Sequence, residues 1–278
     1  MAISPPAKPA SLKFVKWLIF PILGALITAW LSLTPSGFLG KADAIAYAVC
    51  HRISSHSFQV NGVQFPLCAR CTGMYLGALF GLAYQFFQPG ANGKPGGRRG
   101  KMPSVKVYVA MGLLVAAFGV DGVNSYLHFF PGFPSLYQPE NWLRLVTGMG
   151  MGLVMAAGLF PVFHQTMWRY WEDRSALASG KQLAGILIIA VLLVAGVLSG
   201  LAVVLYPLMI LAVAGVMVLL TMVYSMVIVL LFKKDNQFER YGQLWLTILG
   251  GFTLALTQIG VLDLARLTLT GTWAGFSL

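Results

Sequence analysis

The chain has 278 residues, of which 58% are hydrophobic and only 10% are charged. A soluble domain carries about 25% charged residues, so this composition excludes an ordinary water-soluble enzyme or binding domain. The net charge of +11 arises from 19 lysines and arginines against 8 acidic residues. In a membrane protein, such an excess indicates topology before it indicates nucleic-acid binding, and no nucleic-acid partner is expected.

Seven apolar segments are long enough to cross a hydrocarbon layer about 30 Å thick as helices. Lipid cannot satisfy backbone hydrogen bonds, and the period-2 alternation of barrel strands is absent, so each segment is predicted to be an α-helix. The predicted fold class is therefore all-α, a polytopic integral membrane protein with about seven transmembrane helices. The segments are 14–34, 67–88, 107–130, 142–163, 183–205, 207–232 and 244–265.

The distribution of lysine and arginine predicts the orientation of these helices. With the N-terminus inside, 14 of the 19 cations fall on the inner side, Lys8 and Lys94 among them, and five fall on the outer side. Because cytoplasmic loops are enriched in Lys and Arg, we predict an N-inside, C-outside, multi-pass protein of the cell membrane. The lipid bilayer is its expected partner, and the basic linker at 94–106 is best explained by anionic lipid head groups.

The spans divide the chain into three predicted regions. In the last of them, Tyr206 and Pro207 alone separate two apolar segments, which predicts a tight hairpin with Pro entering the second helix. Asp263 and Arg266 on the final helix are expected to form an i, i+3 surface pair. The regions are an N-terminal anchor helix (1–40), a Cys/His-bearing membrane core of an outer loop plus helices two to four (41–163), and a C-terminal three-helix membrane region (164–278).

All three cysteines fall within 22 residues, together with two histidines. Cys68 and Cys71 lie one helical turn apart at the start of the second predicted span, and thiolates with imidazoles are typical ligands of tetrahedral Zn²⁺. Zinc is therefore the expected ion, with iron or an iron–sulfur cluster as the alternative. The candidate metal ligands are Cys50, His51, His56, Cys68 and Cys71.

Two other interpretations of these residues remain open. On an outer, oxidising face, Cys68 and Cys71 are suited to form a redox-active disulfide, with Cys50 as a third thiol. Alternatively, the cysteines and histidines only pack and hydrogen-bond, because a buried cysteine behaves as a small apolar residue.

Polar residues gather at the same predicted outer end, on the third and fourth spans. An ionisable side chain inside a span is costly and normally faces a partner or a cavity. Asp121 is therefore predicted to be a catalytic base, neutralised by Arg70 or Arg144, while Asn141 and Arg144 are predicted to hold an anionic head group. Small residues repeat every fourth position and favour close contact between helix backbones. They are Gly73, Gly77 and Gly81 on the second span and Gly148 and Gly152 on the fourth.

The segments CHR, HSF and PLCARCTGMYLG between Cys50 and Gly77 resemble the prokaryotic predicted membrane proteins of domain-of-unknown-function family 2085. Asp121-Gly122, followed by Asn141-x-x-Arg144-x-x-Thr147-Gly148, resembles the second half of that family. The resemblance covers about residues 44–158. It implies that the outer cluster is a single unit, and it implies no activity.

Three functional hypotheses follow, and the sequence leaves open whether the protein is an enzyme. The first is a membrane-embedded metalloprotein whose outward-facing site acts on an anionic or lipid-like ligand. The second is an envelope thiol–disulfide oxidoreductase using Cys68 and Cys71. The third is a non-catalytic subunit of a larger complex with other membrane subunits.

Overall fold

The computed structural model describes residues 12–89, 96–128, 130 and 135–275. Lys8 and Lys94, two of the cations behind the predicted orientation, lie outside the described residues. Within these ranges the chain forms eight α-helices and one short hairpin, which confirms the all-α class. The helices are α1 (Leu12–Leu33), α2 (Gly37–Val49), α3 (Ala69–Phe87), α4 (Val105–Leu127), α5 (Asn141–Met167), α6 (Gly180–Leu198), α7 (Ala202–Leu231) and α8 (Trp245–Thr270), and the strands are β1 (Gln59–Val60) and β2 (Val63–Gln64).

The membrane character of the helices is confirmed by their length and composition. Five of them, α4 to α8, are long and apolar enough to cross a membrane, and α1 with α2 makes a sixth if that bent pair is one span. Helix α3 is not among them, because glycines and polar residues such as Arg70 and Gln85 lower its mean hydropathy. The count of seven spans and the orientation stay predictions.

The long polar stretch after the first span contains a helix of its own. Helix α2 begins after a break of three residues and is bent by 106° from α1. The chain then makes a 3-10 turn at Ser54–His56 and the antiparallel hairpin of β1 and β2. Asn61 and Gly62 connect the strands with φ of 49° and 77°, the left-handed pair that a tight hairpin turn requires. The hairpin returns the chain to the start of α3.

The predicted hairpin at Tyr206 and Pro207 is wrong in position. Helix α6 ends at Leu198, α7 begins at Ala202, and Pro207 lies inside α7. The chain turns at Gly200, which has φ of 72°, a conformation that glycine adopts without steric cost. The glycine, and not the proline, therefore ends α6.

Helix α3 packs most extensively against α5 and also against α7. The glycine stripes make the contact with α5. A Cβ atom on Gly73 would lie 2.7 Å from the Met149 nitrogen, and one on Gly148 or Gly152 would overlap a carbonyl oxygen of α3. The two backbones therefore touch directly, as the small-residue pattern predicts.

The C-terminal region also packs against the rest of the bundle. Helix α8 contacts α1, α2 and α7. The ends that meet near the cysteines are the N-termini of α3 and α5 and the C-termini of α2, α4 and α8. The division into three regions stays a prediction.

Substitution Gly148→Ala tests the contact between α3 and α5. The added Cβ would overlap the Arg70 carbonyl, so we expect the free energy of unfolding to fall by about 1–3 kcal/mol. Gly158→Ala in the same helix is the matched control, because a Cβ there meets no atom within 4 Å. Helix propensity predicts an unchanged or slightly higher stability for the control. Thermal or denaturant unfolding in detergent compares the two, and equal stabilities would contradict the packing.

Candidate metal centre

The structure brings the three cysteines together, as the sequence predicts. The sulfurs of Cys50, Cys68 and Cys71 all lie within 4.8 Å of one another. Two thiolates bound to one tetrahedral zinc, each about 2.3 Å from the ion, are about 3.8 Å apart. A small inward movement of the side chains would therefore bring all three sulfurs to one ion. Cys50 and Cys68 are buried, Cys71 is half-buried, and all three are free thiols.

Two backbone features place the sulfurs. Cys50 follows the last residue of α2 in an extended conformation, and its N–H donates to the Ala46 carbonyl at 2.8 Å. Cys68 occupies the position before the first residue of α3, with no side-chain cap. The Cys68 N–H donates to the Cys50 sulfur at 3.2 Å. The end of one helix and the start of the next thus meet at the sulfur cluster.

The N-terminus of α3 favours negative charge on these sulfurs. Unpaired N–H groups and the helix dipole both stabilise a thiolate at that position. The pKa of the Cys50 thiol is lowered, because the thiols of Cys68 and Cys71 and the Cys68 N–H donate hydrogen bonds to it. These hydrogen bonds therefore favour the thiolate form at the Cys50 sulfur.

The two predicted histidine ligands lie beside the sulfurs without joining them. Among the described residues, the group within metal-binding distance holds the three cysteines and neither imidazole. The His51 and His56 rings contact each other edge to face at 5.6 Å, and His51 Nδ1 accepts from the Ile53 N–H at 3.0 Å. Burial lowers the pKa of both rings, that of His56 to about 4. Both are neutral at pH 7, the form that binds metals, and their role as ligands stays a prediction.

Asp121 pairs with Arg70, one of the two expected partners. The Asp121 side chain is 1% exposed and forms a salt bridge with the Arg70 guanidinium. Thr147 donates to the same carboxylate oxygen at 3.2 Å, and the Tyr137 hydroxyl donates to the other at 3.1 Å. Arg70 also donates to the Ser125 hydroxyl at 3.0 Å. This network joins α3, α4 and α5, and its Arg70 is the residue before Cys71 in the chain.

Asn141 and Arg144 contact the loop that carries the histidines. Arg144 is 6% exposed, and it donates to the Asn141 side-chain oxygen at 2.9 Å. Asn141 donates to the Ser55 carbonyl at 3.1 Å, within the 3-10 turn that contains His56. The ion pairs of the described residues do not include Arg144. The catalytic roles of Asp121, Asn141 and Arg144 stay predictions.

The expected surface pair of Asp263 and Arg266 is wrong. Asp263 is buried and accepts a hydrogen bond from the Trp30 indole at 3.3 Å. The Arg266 guanidinium turns instead to the end of α2 and donates to the carbonyls of Tyr47 and Cys50. The spacing on α8 could not show this contact, because the partners are more than 200 residues away in sequence. The one available signal is an arginine next to the predicted outer end of the last span.

Comparison with known proteins places the cysteines inside a shared region. Residues 50–157 match the family described as a predicted membrane protein (DUF2085). An uncharacterized protein of Methanothermobacter thermautotrophicus is 31% identical over 108 residues, which are 39% of this chain and 81% of that relative. An uncharacterized protein of Methanocaldococcus jannaschii is 28% identical over 132 residues, 46% of this chain and 72% of the relative. No solved structure matches the chain.

Substitution Asp121→Asn tests the buried pair. Removing one member of a buried ion pair leaves an uncompensated charge, so we expect the free energy of unfolding to fall by about 3 kcal/mol. Arg169→Gln is the control, because its pair with Glu239 is about half exposed on both sides and such pairs contribute about 0–1 kcal/mol. Unfolding in detergent measures both variants. Equal losses would show that the Arg70–Asp121 pair does not stabilise the bundle.

Proposed function

Because this chain belongs to the DUF2085 family of predicted membrane proteins, and the shared region contains all three sulfurs, we propose that it is a membrane metalloprotein. Its function is to hold a divalent ion on Cys50, Cys68 and Cys71 at one end of the helical bundle. The single observation that supports this proposal most strongly is the convergence of three sulfurs to within 4.8 Å. The cation distribution supports an outward orientation for this end.

Zinc is the ion that we propose. Thiolates select zinc, copper(I) and iron–sulfur clusters over hard ions such as Mg²⁺. An all-cysteine iron–sulfur cluster uses four cysteines, and the whole chain has three. Zinc readily combines three thiolates with a fourth ligand of another type. The donor set therefore favours zinc over an iron–sulfur cluster.

The fourth position decides whether the site is structural or catalytic. A closed set of four protein ligands is typical of structural zinc, whereas three ligands leave a position for water or substrate. We propose that this position lies on the side of the half-buried Cys71 and is filled by His51, by His56 or by an exchangeable ligand. In the last case Cys50, Cys68 and Cys71 would hold an ion that would supply Lewis-acid chemistry at this open position.

The arginines support an anionic ligand at such an open position. Zn²⁺ with three thiolates carries a net charge of −1. Arg144, which is buried and outside the ion pairs of the described residues, offers a compensating positive charge. We propose that Arg144 and Asn141 hold the anionic group of a carboxylate or phosphate ligand, lipid-like or free. One carboxylate oxygen of Asp121 accepts hydrogen bonds from Arg70 and Thr147, and the other accepts one from Tyr137. We therefore propose that Asp121 acts as a base only when Tyr137 releases its oxygen.

A thiol–disulfide oxidoreductase is the second candidate. Cys68 and Cys71 have the C-x-x-C spacing at a helix N-terminus, which is typical of redox-active pairs. The hydrogen bonds around the cluster place the lowered pKa on Cys50 instead. A redox role would therefore use Cys50 as the attacking thiolate. We rank it below metal binding, because three converging sulfurs exceed what one disulfide needs.

Metal analysis of the purified protein tests the proposal. We expect one zinc per chain in protein prepared without chelator, and a loss of at least about 90% of the metal in Cys68→Ser, because two thiolates hold zinc much less tightly than three. His128→Gln is the control, because His128 is an exposed imidazole at the end of α4 outside the sulfur group. Wild-type protein without stoichiometric metal would contradict the proposal.

Thiol counting separates the two candidates. Zinc-bound thiolates react slowly with alkylating reagents, so we expect few modified cysteines before chelation and three after it, with or without reductant. A redox pair would instead show one reactive thiol after chelation and three only after reduction. The second pattern would favour the oxidoreductase.

A further inference from the structure

The end of α2 is held by a side chain from the last helix. The Arg266 guanidinium donates to the carbonyls of Tyr47 at 2.7 Å, Cys50 at 2.6 Å and His51 at 3.1 Å. These carbonyls lie at or just beyond the C-terminus of α2, where helix geometry leaves them without intrahelical partners. Two of these carbonyls belong to Cys50 and His51, which are both candidate metal ligands. Arg266 therefore contacts the peptide groups that set the position of the Cys50 sulfur.

The same part of α8 holds Tyr47 from several sides. The guanidinium carbon of Arg266 lies over the Tyr47 ring, 4.0 Å from the ring centroid. The Tyr47 ring also packs against the Trp273 ring, with 5.1 Å between the two ring centroids. The Tyr47 hydroxyl donates to the Thr272 carbonyl at 2.7 Å. Tyr47 is fully buried. The last turn of α2 is thus fixed to the end of α8 and to the residues after it by a cation–π contact, a ring contact and the hydrogen bond of the Tyr47 hydroxyl.

A second arginine extends this contact along the loop. Arg52, in the left-handed region with φ of 55°, pairs with Asp43 at 2.7 Å and donates to the Trp273 carbonyl at 3.2 Å. The loop on either side of Cys50 and His51 is therefore tied to the segment 266–273. That segment lies outside the family-matched region 50–157.

Arginine is suited to this position by its shape. Its planar guanidinium presents several donors in a fixed fork, so one side chain can serve carbonyls from three residues at once, whereas a lysine ammonium is a compact point charge. A cation at a helix C-terminus is also favoured by the helix dipole. Groups that orient metal ligands in this way commonly change metal affinity by 10–100-fold when they are removed.

We infer that Arg266 is a positioning residue for the metal centre: it fixes the backbone at Cys50 so that the sulfur points at Cys68 and Cys71. This inference rests on the proposed metal site for its effect on the ion. Its effect on the Cys50 thiol is independent of any metal. The C-terminal helix is thereby part of the centre, although no residue of α8 ligates the ion.

The experiment compares Arg266→Gln, Arg266→Lys and Thr268→Ala in the full-length protein. Thr268 is the matched control, because it is exposed on the same helix and, among the described residues, its hydroxyl donates to the Ala265 carbonyl one turn earlier in α8. Competition with a chromophoric chelator measures zinc affinity, and the thiolate charge-transfer bands of cobalt-substituted protein report the sulfur geometry. We expect Arg266→Gln to weaken zinc by about tenfold or more and to alter the cobalt bands. Arg266→Lys is expected to be intermediate and Thr268→Ala unchanged.

A second readout needs no metal. In chelated protein, peptide mapping after a brief alkylation gives the modification rate of Cys50, which is 5% exposed. We expect Arg266→Gln to raise that rate several-fold and Thr268→Ala to leave it unchanged. If wild type binds no zinc but Arg266→Gln exposes Cys50, the metal proposal fails and the positioning role stands. If Arg266→Gln does not fold, the same measurements on Arg266→Lys test the inference. The inference would be overturned by a folded Arg266→Gln protein that has the zinc affinity, the cobalt bands and the Cys50 modification rate of the wild type.

Discussion

The close approach of α3 and α5 determines which side chains meet at the sulfur-bearing end of the bundle. Glycines on both helices allow backbone to meet backbone, with a Cβ on Gly73 only 2.7 Å from the Met149 nitrogen. Larger residues would hold the axes several ångströms farther apart. The contact brings the N-termini of two helices to the same end of the bundle. One of them carries Cys68 and Cys71, and the other carries Asn141 and Arg144.

The electrostatics of that end follow from this arrangement. Several arginines lie at this end of an apolar protein, and such charges are costly unless negative groups compensate them. Asp121 neutralises Arg70, and Asp43 neutralises Arg52. Arg144 is buried outside the ion pairs of the described residues. The proposed metal–thiolate centre would supply a compensating negative charge and would account for the convergence of the sulfurs.

Much of this organisation was predictable from local sequence signals. The apolar runs located all seven long helices, the C-x-x-C spacing located the sulfurs at a helix start, and the glycine repeats identified the contact of α3 with α5. The contacts of Arg266 were not predictable, because they join segments more than 200 residues apart through backbone carbonyls that any residue possesses. Helix α2 was not predicted, because Lys41 and Asp43 make the segment too polar for a transmembrane span, although it can still form a helix.

X-ray absorption at the zinc edge tests the central claim most directly, because it counts the sulfurs bound to the ion and measures their distances. The account predicts three sulfur neighbours at about 2.3 Å and one lighter ligand, nitrogen or oxygen, at about 2.0–2.1 Å. Loss of one sulfur neighbour in Cys50→Ser would show that the cysteine after α2 belongs to the centre. An ion surrounded only by nitrogen and oxygen would contradict it.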